Sequence, residues 1–91
     1  MNHADDVREY GNSRYGVPAR QKGEGFVTIR AGDVHQALNY RNRYPLVCAA
    51  IGSNRFEEMA NIRRVSIEGP LNGANTLFKF ELIWTSYTHQ A

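Results

Sequence analysis

Gly32-Asp33-Val34-His35-Gln36-Ala37-Leu38-Asn39-Tyr40-Arg41-Asn42-Arg43-Tyr44-Pro45-Leu46-Val47-Cys48-Ala49-Ala50-Ile51 is the stretch that decides the reading of this chain. Val34, Ala37 and Leu38 fall at i, i+3 and i+4, which is one face of a helix. Asp33 sits in its first turn, where a negative charge suits the helix dipole. Asn39 supplies a left-handed stop. Pro45 belongs in the first turn of a second helix, where its missing N–H would be unpaired anyway. Tyr44, Val47, Cys48 and Ile51 then repeat at i, i+3, i+4 and i+7. Two helices are therefore predicted with only residues 40–43 between them, and Asn42 reads as the N-cap of the second.

Upstream, residues 1–5 read as a frayed start and 4–15 as a helix with Val7, Tyr10 and Tyr15 on one side. Gly11 and Gly16 weaken it. Pro18 either ends it or opens a short turn through 19–22. Gly23-Glu24-Gly25 is a break, and Phe26-Val27-Thr28-Ile29-Arg30 is a short strand. Downstream, Gly52-Ser53-Asn54 interrupts or ends the second helix. Phe56-Glu57-Glu58-Met59 adds a turn, with Asn54 and Glu57 at capping-box spacing. The period then changes to 2. Arg64-Val65-Ser66-Ile67-Glu68 alternates, and in Thr76-Leu77-Phe78-Lys79-Phe80-Glu81-Leu82 the residues Phe78, Phe80 and Leu82 share a face. The Gly-Pro and Asn-Gly turn signals between them predict an antiparallel hairpin with a long tip.

The chain has 91 residues, 42% apolar and 22% charged, which predicts one globular domain over 1–91 with frayed ends at 1–5 and 86–91. No apolar run reaches the roughly 20 residues a bilayer needs, and no charged-then-apolar leader is visible. The lone Cys48 excludes an internal disulfide and a two-Cys zinc site. A cytoplasmic protein without cofactor or membrane contact is the expectation. The net charge is only +2. The excess lies in 25–56, where Arg30, Arg41, Arg43 and Arg55 face Asp33 alone, and 34–56 contains no acid. Nine of the eleven cations are Arg, whose planar fork suits phosphates and guanine edges. A merely solvated surface is the plainer alternative.

Helix, strand, helix, tight turn, helix, strand, loop, strand is an order that resembles the winged helix-turn-helix family of DNA-binding domains, over about residues 4–84. The resemblance implies an α+β fold of three helices with a small antiparallel sheet, the strand Phe26–Arg30 joining a C-terminal hairpin wing. It also implies double-stranded DNA binding through a recognition helix starting near Arg43, without catalysis, and regulation of transcription as the default role. The loop 69–75 would be the wing, and it departs from the family in carrying no charge. Asn72, Asn75 and Thr76 remain as hydrogen-bonding groups there.

Arg41, Asn42 and Arg43 would stand at the N-terminus of the recognition helix, where base and phosphate contacts are made. Its outer face would carry Leu46, Ala49, Ala50, Ser53 and Asn54, with Arg55 just beyond. Ala49 can touch a thymine methyl. The alternative is that Leu46, Ala49 and Ala50 form a second buried face. Arg30 either reaches phosphate or pairs with Asp33, and Arg20 and Lys22 are peripheral phosphate candidates. A Cys48 nucleophile with His35 as base is unsupported, because Cys48 lies on the apolar stripe. His3, His35 and His89 are too scattered for a metal site. The near-neutral charge and uncharged wing leave a second class open, a protein-interaction module in a larger assembly. With few cations, a homodimer or protein partner would strengthen binding.

Overall fold

The computed structural model describes residues 2–84. The fold is α+β. Helix α1 (His3–Gly11) starts one residue before the expected position, because Asn2 caps it: its side-chain oxygen accepts from Asp5 N at 2.9 Å. The helix does not stop at the glycines. A π-helical turn, Asn12–Gly16, carries it into α2 (Val17–Gln21), with Pro18 in the first turn of α2. Gly11 is a close-approach residue. A Cβ there would lie 3.1 Å from Ile51 Cδ1 and from the Phe56 ring, so α1 reaches the core because position 11 has no side chain.

Strand β1 (Phe26–Arg30) leads directly into α3 (Ala31–Ala37), then α4 (Tyr44–Ile51), α5 (Asn54–Ala60), β2 (Ile62–Glu68) and β3 (Leu77–Leu82). Among the described residues five α-helices stand where the sequence pattern predicts three. The π turn divides the first of the expected helices, and Gly52-Ser53 breaks the third into α4 and α5. The expected Asn54–Glu57 box is replaced by Ser53, whose Oγ accepts from Phe56 N at 3.2 Å. Glu57 instead accepts from the Arg64 amide at 2.9 Å, tying α5 to β2. Asn39 is left-handed (φ 61°), as its position after α3 demands.

The sheet order is β1-β3-β2, antiparallel throughout. Ile29 faces Phe78 and Val27 faces Phe80 across β1–β3. Ile62 faces Leu82, Arg64 faces Phe80 and Ile67 faces Phe78 across β3–β2. Paired residues share a sheet face, so Arg64 and Ile67 are both on the inner face despite their odd spacing. The cause is a register shift between Arg64 and Ser66, a bulge that leaves Val65 unpaired and exposed. The simple alternation expected for 64–68 is therefore interrupted there.

The helices cover the inner face. Val7, Val34, Val47, Ile51 and Phe56 meet Ile29, Ile62, Phe78, Phe80 and Leu82 in one core. Phe56 and Phe80 contact edge to face at 5.5 Å between centroids, the arrangement their ring quadrupoles favour. The guanidinium of Arg20 donates to the carbonyls of Ala60, Asn61 and Ile83 and lies over the Trp84 ring. It clamps the helical layer to the end of the sheet, so its expected role as a peripheral phosphate contact gives way to a structural one.

Among the described residues, no helix is long and apolar enough to cross a membrane. The frayed end expected at 86–91 lies outside the described residues.

Candidate nucleic-acid interface

The turn between α3 and α4 is fixed by a histidine. His35 is buried, stacks on Tyr44 at 4.0 Å between centroids and meets Tyr40 edge to face. Its Nε2 accepts from the Arg43 amide at 3.1 Å. Arg43, not Asn42, is the N-cap residue of α4, and no side chain caps that helix. Asn42 takes a left-handed conformation (φ 52°), a geometry Asn tolerates and most residues do not. Its role is to turn the chain. Because the Arg43 amide occupies His35 Nε2, that nitrogen cannot serve Cys48 as a base.

Arg41, Asn42 and Arg43 are all exposed. Among the described residues no acid lies within ion-pair distance of Arg41 or Arg43. The other arginines of the acid-free stretch and its borders are engaged. Arg30 donates to Asp33 Oδ1 at 2.8 Å and to Asn75 Oδ1 at 2.7 Å. Arg55 lies 4.0 Å from Asp5. Arg63 pairs with Glu81. Arg64 donates to the Gly52 carbonyl at 2.7 Å. The turn before α4 therefore presents the most available cations near that helix.

On α4 itself, Val47, Cys48, Ala50 and Ile51 are buried. Ala50 thus leaves the outer face on which it was expected, since α4 packs against α1 as well as α3. Ala49 stays exposed and Leu46 is half-buried. Ser53 is half-buried and engaged at both ends of its hydroxyl, donating to Ala50 O at 2.7 Å and accepting from Phe56 N. Asn54 is exposed at the first position of α5.

The β2–β3 loop, 69–76, folds back beside α4 and is held by hydrogen bonds. Thr76 is 1% exposed; its hydroxyl donates to Pro70 O and accepts from Gly73 N at 3.0 Å. Ala31 N donates to Thr76 O and Gly32 N to Ala74 O, at 2.9 and 2.8 Å. A Cβ on Gly32 would lie 2.6 Å from that Ala74 oxygen, so only glycine permits the docking. Asn75 is committed to Arg30, whereas Asn72 is exposed with φ 57°. Across from it, Cys48 Sγ lies 3.9 Å from Gly73 O. Between α4 and the loop opens a cleft of about 190 Å³, lined by apolar Cys48, Ala49, Ile67, Leu71 and Phe78 and by Gly52, Arg64, Asn72 and Thr76. Leu71 is 76% exposed.

The predicted residues therefore divide. Arg41, Asn42, Arg43, Ala49 and Asn72 lie on the exposed turn, the α4 face and the loop beside it. Asn54 and Arg55 lie beyond, on α5. Ser53 and Asn75 are held in structural bonds. The cleft has no signature in the sequence, because its wall from β2 depends on the bulge. A cavity of about 500 Å³ between α1 and the α3–α4 turn carries Asp6 and Glu9 on its wall, the wrong sign for a polyanion. Comparison with known protein families, with curated proteins and with solved structures finds no match.

Proposed function

We propose that this chain is a winged helix-turn-helix domain that binds double-stranded DNA without catalysis and serves as a cytoplasmic transcriptional regulator. In this reading α3 and α4 are the helix-turn-helix, α4 enters the major groove and the loop 69–76 is the wing. The observation that carries it is the pairing of two arginines without an ion-pair partner among the described residues, Arg41 and Arg43, with an α4 face that stays exposed beside a loop docked by hydrogen bonds. Arg41 and Arg43 would contact phosphates or guanine edges, with Asn72 and Asn54 on the flanking backbone. The strand order β1-β3-β2 supports the same architecture. The turn α5 between recognition helix and sheet is a local addition.

Two available arginines predict weak, salt-sensitive affinity, on the order of micromolar for a random duplex at low salt. Dimerisation would double the phosphate contacts and reward paired half-sites. Fluorescence anisotropy against a labelled random duplex over a salt series tests the reading, with Arg41→Ala/Arg43→Ala beside the native chain. Binding with a shallower salt slope in the variant supports it. A folded sample that binds no duplex at low salt overturns it. The exposed Leu71 on an uncharged loop favours a second reading, a protein-docking module, which that negative result would bring forward.

A further inference from the structure

Three aromatic rings of this chain each hold a cation of the chain itself. Arg14 lies over Tyr15, Arg20 over Trp84 and Lys79 over Phe26. Tyr10 and Tyr40 hold none among the described residues, yet they share a cavity with two carboxylates. It is the cavity of about 500 Å³ between α1 and the α3–α4 turn. His3, Asp6 and Tyr10 recur on α1 at i, i+3 and i+7, which puts them on one side of the helix. Glu9 and then Ser13 of the π turn continue that wall, and Leu38 and Tyr40 close it from the end of α3.

The walls are anchored from within. Tyr10, Leu38 and Tyr40 are half-buried and pack against the core. Tyr40 meets His3 and His35 at steep angles, with centroids 5.4 and 6.0 Å away, and Tyr10 meets Tyr15 in the same way at 6.3 Å. Among the described residues no parallel ring covers either tyrosine. The lining holds Asp6 and Glu9 and no Lys or Arg. Asp6 lies 4.0 Å from His3 Nδ1, and Glu9 has no ion-pair partner among the described residues. Burial, and then the charge of Asp6, push the Tyr40 hydroxyl above the ordinary tyrosine value, with Arg43 acting in the opposite sense. The field of Asp6 therefore reaches the Tyr40 side chain.

Negative charge and tyrosine rings in one cavity select a cation, because the face of an aromatic ring is itself negative. A metal ion does not fit. No group of three His, Cys, Asp or Glu among the described residues could hold one, and the cavity is far larger than a bare ion. An alkylated ammonium ion fits both features. The carboxylates and ring faces meet its charge, and the tyrosine rings and Leu38 meet its carbon shell. We propose that the cavity between α1 and the α3–α4 turn is a binding site for organic ammonium ions, held by Asp6, Glu9, Tyr10 and Tyr40. The site goes beyond the DNA-binding reading and does not depend on it.

The test is an NMR titration of the whole chain with choline chloride replacing sodium chloride, so that ionic strength stays constant. The control ligand is the neutral alcohol in which carbon replaces the choline nitrogen. Choline should shift the ring resonances of Tyr10 and Tyr40 and the Leu38 methyls along one saturable curve. The neutral alcohol should bind about tenfold more weakly, the scale of the cation–π and carboxylate attraction it lacks. Asp6→Asn/Glu9→Gln changes two solvent-accessible side chains and keeps the rings. It should melt close to the native chain, lose about tenfold in choline affinity and lose most of the difference between the two ligands. Equal affinity of the native chain for choline and the alcohol would reveal an apolar groove and overturn the proposal. Full choline affinity in the double variant overturns it as well, as do saturable shifts confined to another part of the chain or no saturable shift when choline has replaced all the sodium.

Discussion

His35 holds the α3–α4 turn through one lone pair. Its Nε2 receives the Arg43 amide while its ring lies against Tyr44, so one buried side chain sets both where α4 begins and where Arg43 points. His35→Phe preserves a ring for stacking and removes the acceptor. The Arg43 amide is then left without its partner, a loss of about 1–3 kcal/mol. Urea denaturation should show a lower midpoint with an unchanged slope, and duplex affinity should fall with it because the turn loosens. An unchanged midpoint would mean that the amide finds water and the histidine acts only by stacking. Asp5 gives a second residue-level expectation, at acid pH. Its carboxyl is held below the ordinary aspartate value of 3.8, chiefly by the hydrogen bond from Arg8. A depressed folded pKa contributes stability above the unfolded value and loses it as pH falls through the folded one. Stability should therefore decline below pH ~4, and Asp5→Asn should flatten that acid limb slightly, since the pair is partly exposed and screened.

The loop 69–76 is held by backbone and hydroxyl bonds, which makes its docking separable from the helices. Gly32→Ala forces a methyl toward the Ala74 oxygen and should cost about 1–3 kcal/mol. Amide exchange should quicken at Gly32 and Thr76 while the protected amides of α4 stay slow. Ser53→Ala tests the opposite kind of assignment. Removing the cap of α5 should cost about 1 kcal/mol and leave the salt slope of DNA binding untouched; a reduced slope would restore Ser53 to the contact surface. These elements also mark what local patterning could disclose. Phe78, Phe80 and Leu82 share a face in the sequence and in the sheet, and the stripe of Tyr44, Val47, Cys48 and Ile51 turns inward, because a two- or 3.6-residue period needs no distant partner. The wrong assignments share a different cause. Gly11 looks like a helix breaker until Ile51 and Phe56 occupy the space above it, and Ala50 looks solvent-facing until α1 covers it. Asn42 looks like a cap until His35 takes the neighbouring amide. Arg41, Arg43 and Ala49 are legible as a surface. The cleft is not, since its far wall depends on a bulge at Val65 that nothing in 64–68 announces.

At the scale of the molecule the question is whether position or total charge governs association with a polyanion. The net charge of +2 is too small for a strong uniform field, and α4 and the turn before it carry no acid of their own. A site at the α3–α4 turn then predicts that two charge-equivalent variants behave differently. Arg41→Ala/Arg43→Ala and Arg14→Ala/Lys79→Ala each remove two positive charges. Arg14 lies by the Tyr15 ring on the π turn, and Lys79 lies over Phe26 on the outer face of the sheet. Each cation withdrawn from a phosphate lowers the slope of log affinity against log salt by about 0.9. The first variant should therefore lose about 2 in slope, and the second should keep the native slope within error. Both should unfold within about 0.5 kcal/mol of the native chain, because all four side chains are solvent-facing. Equal reductions in slope would show that binding follows the overall field and that the turn before α4 is not its centre. Unequal reductions in the expected order would locate the counterion release at the turn before α4.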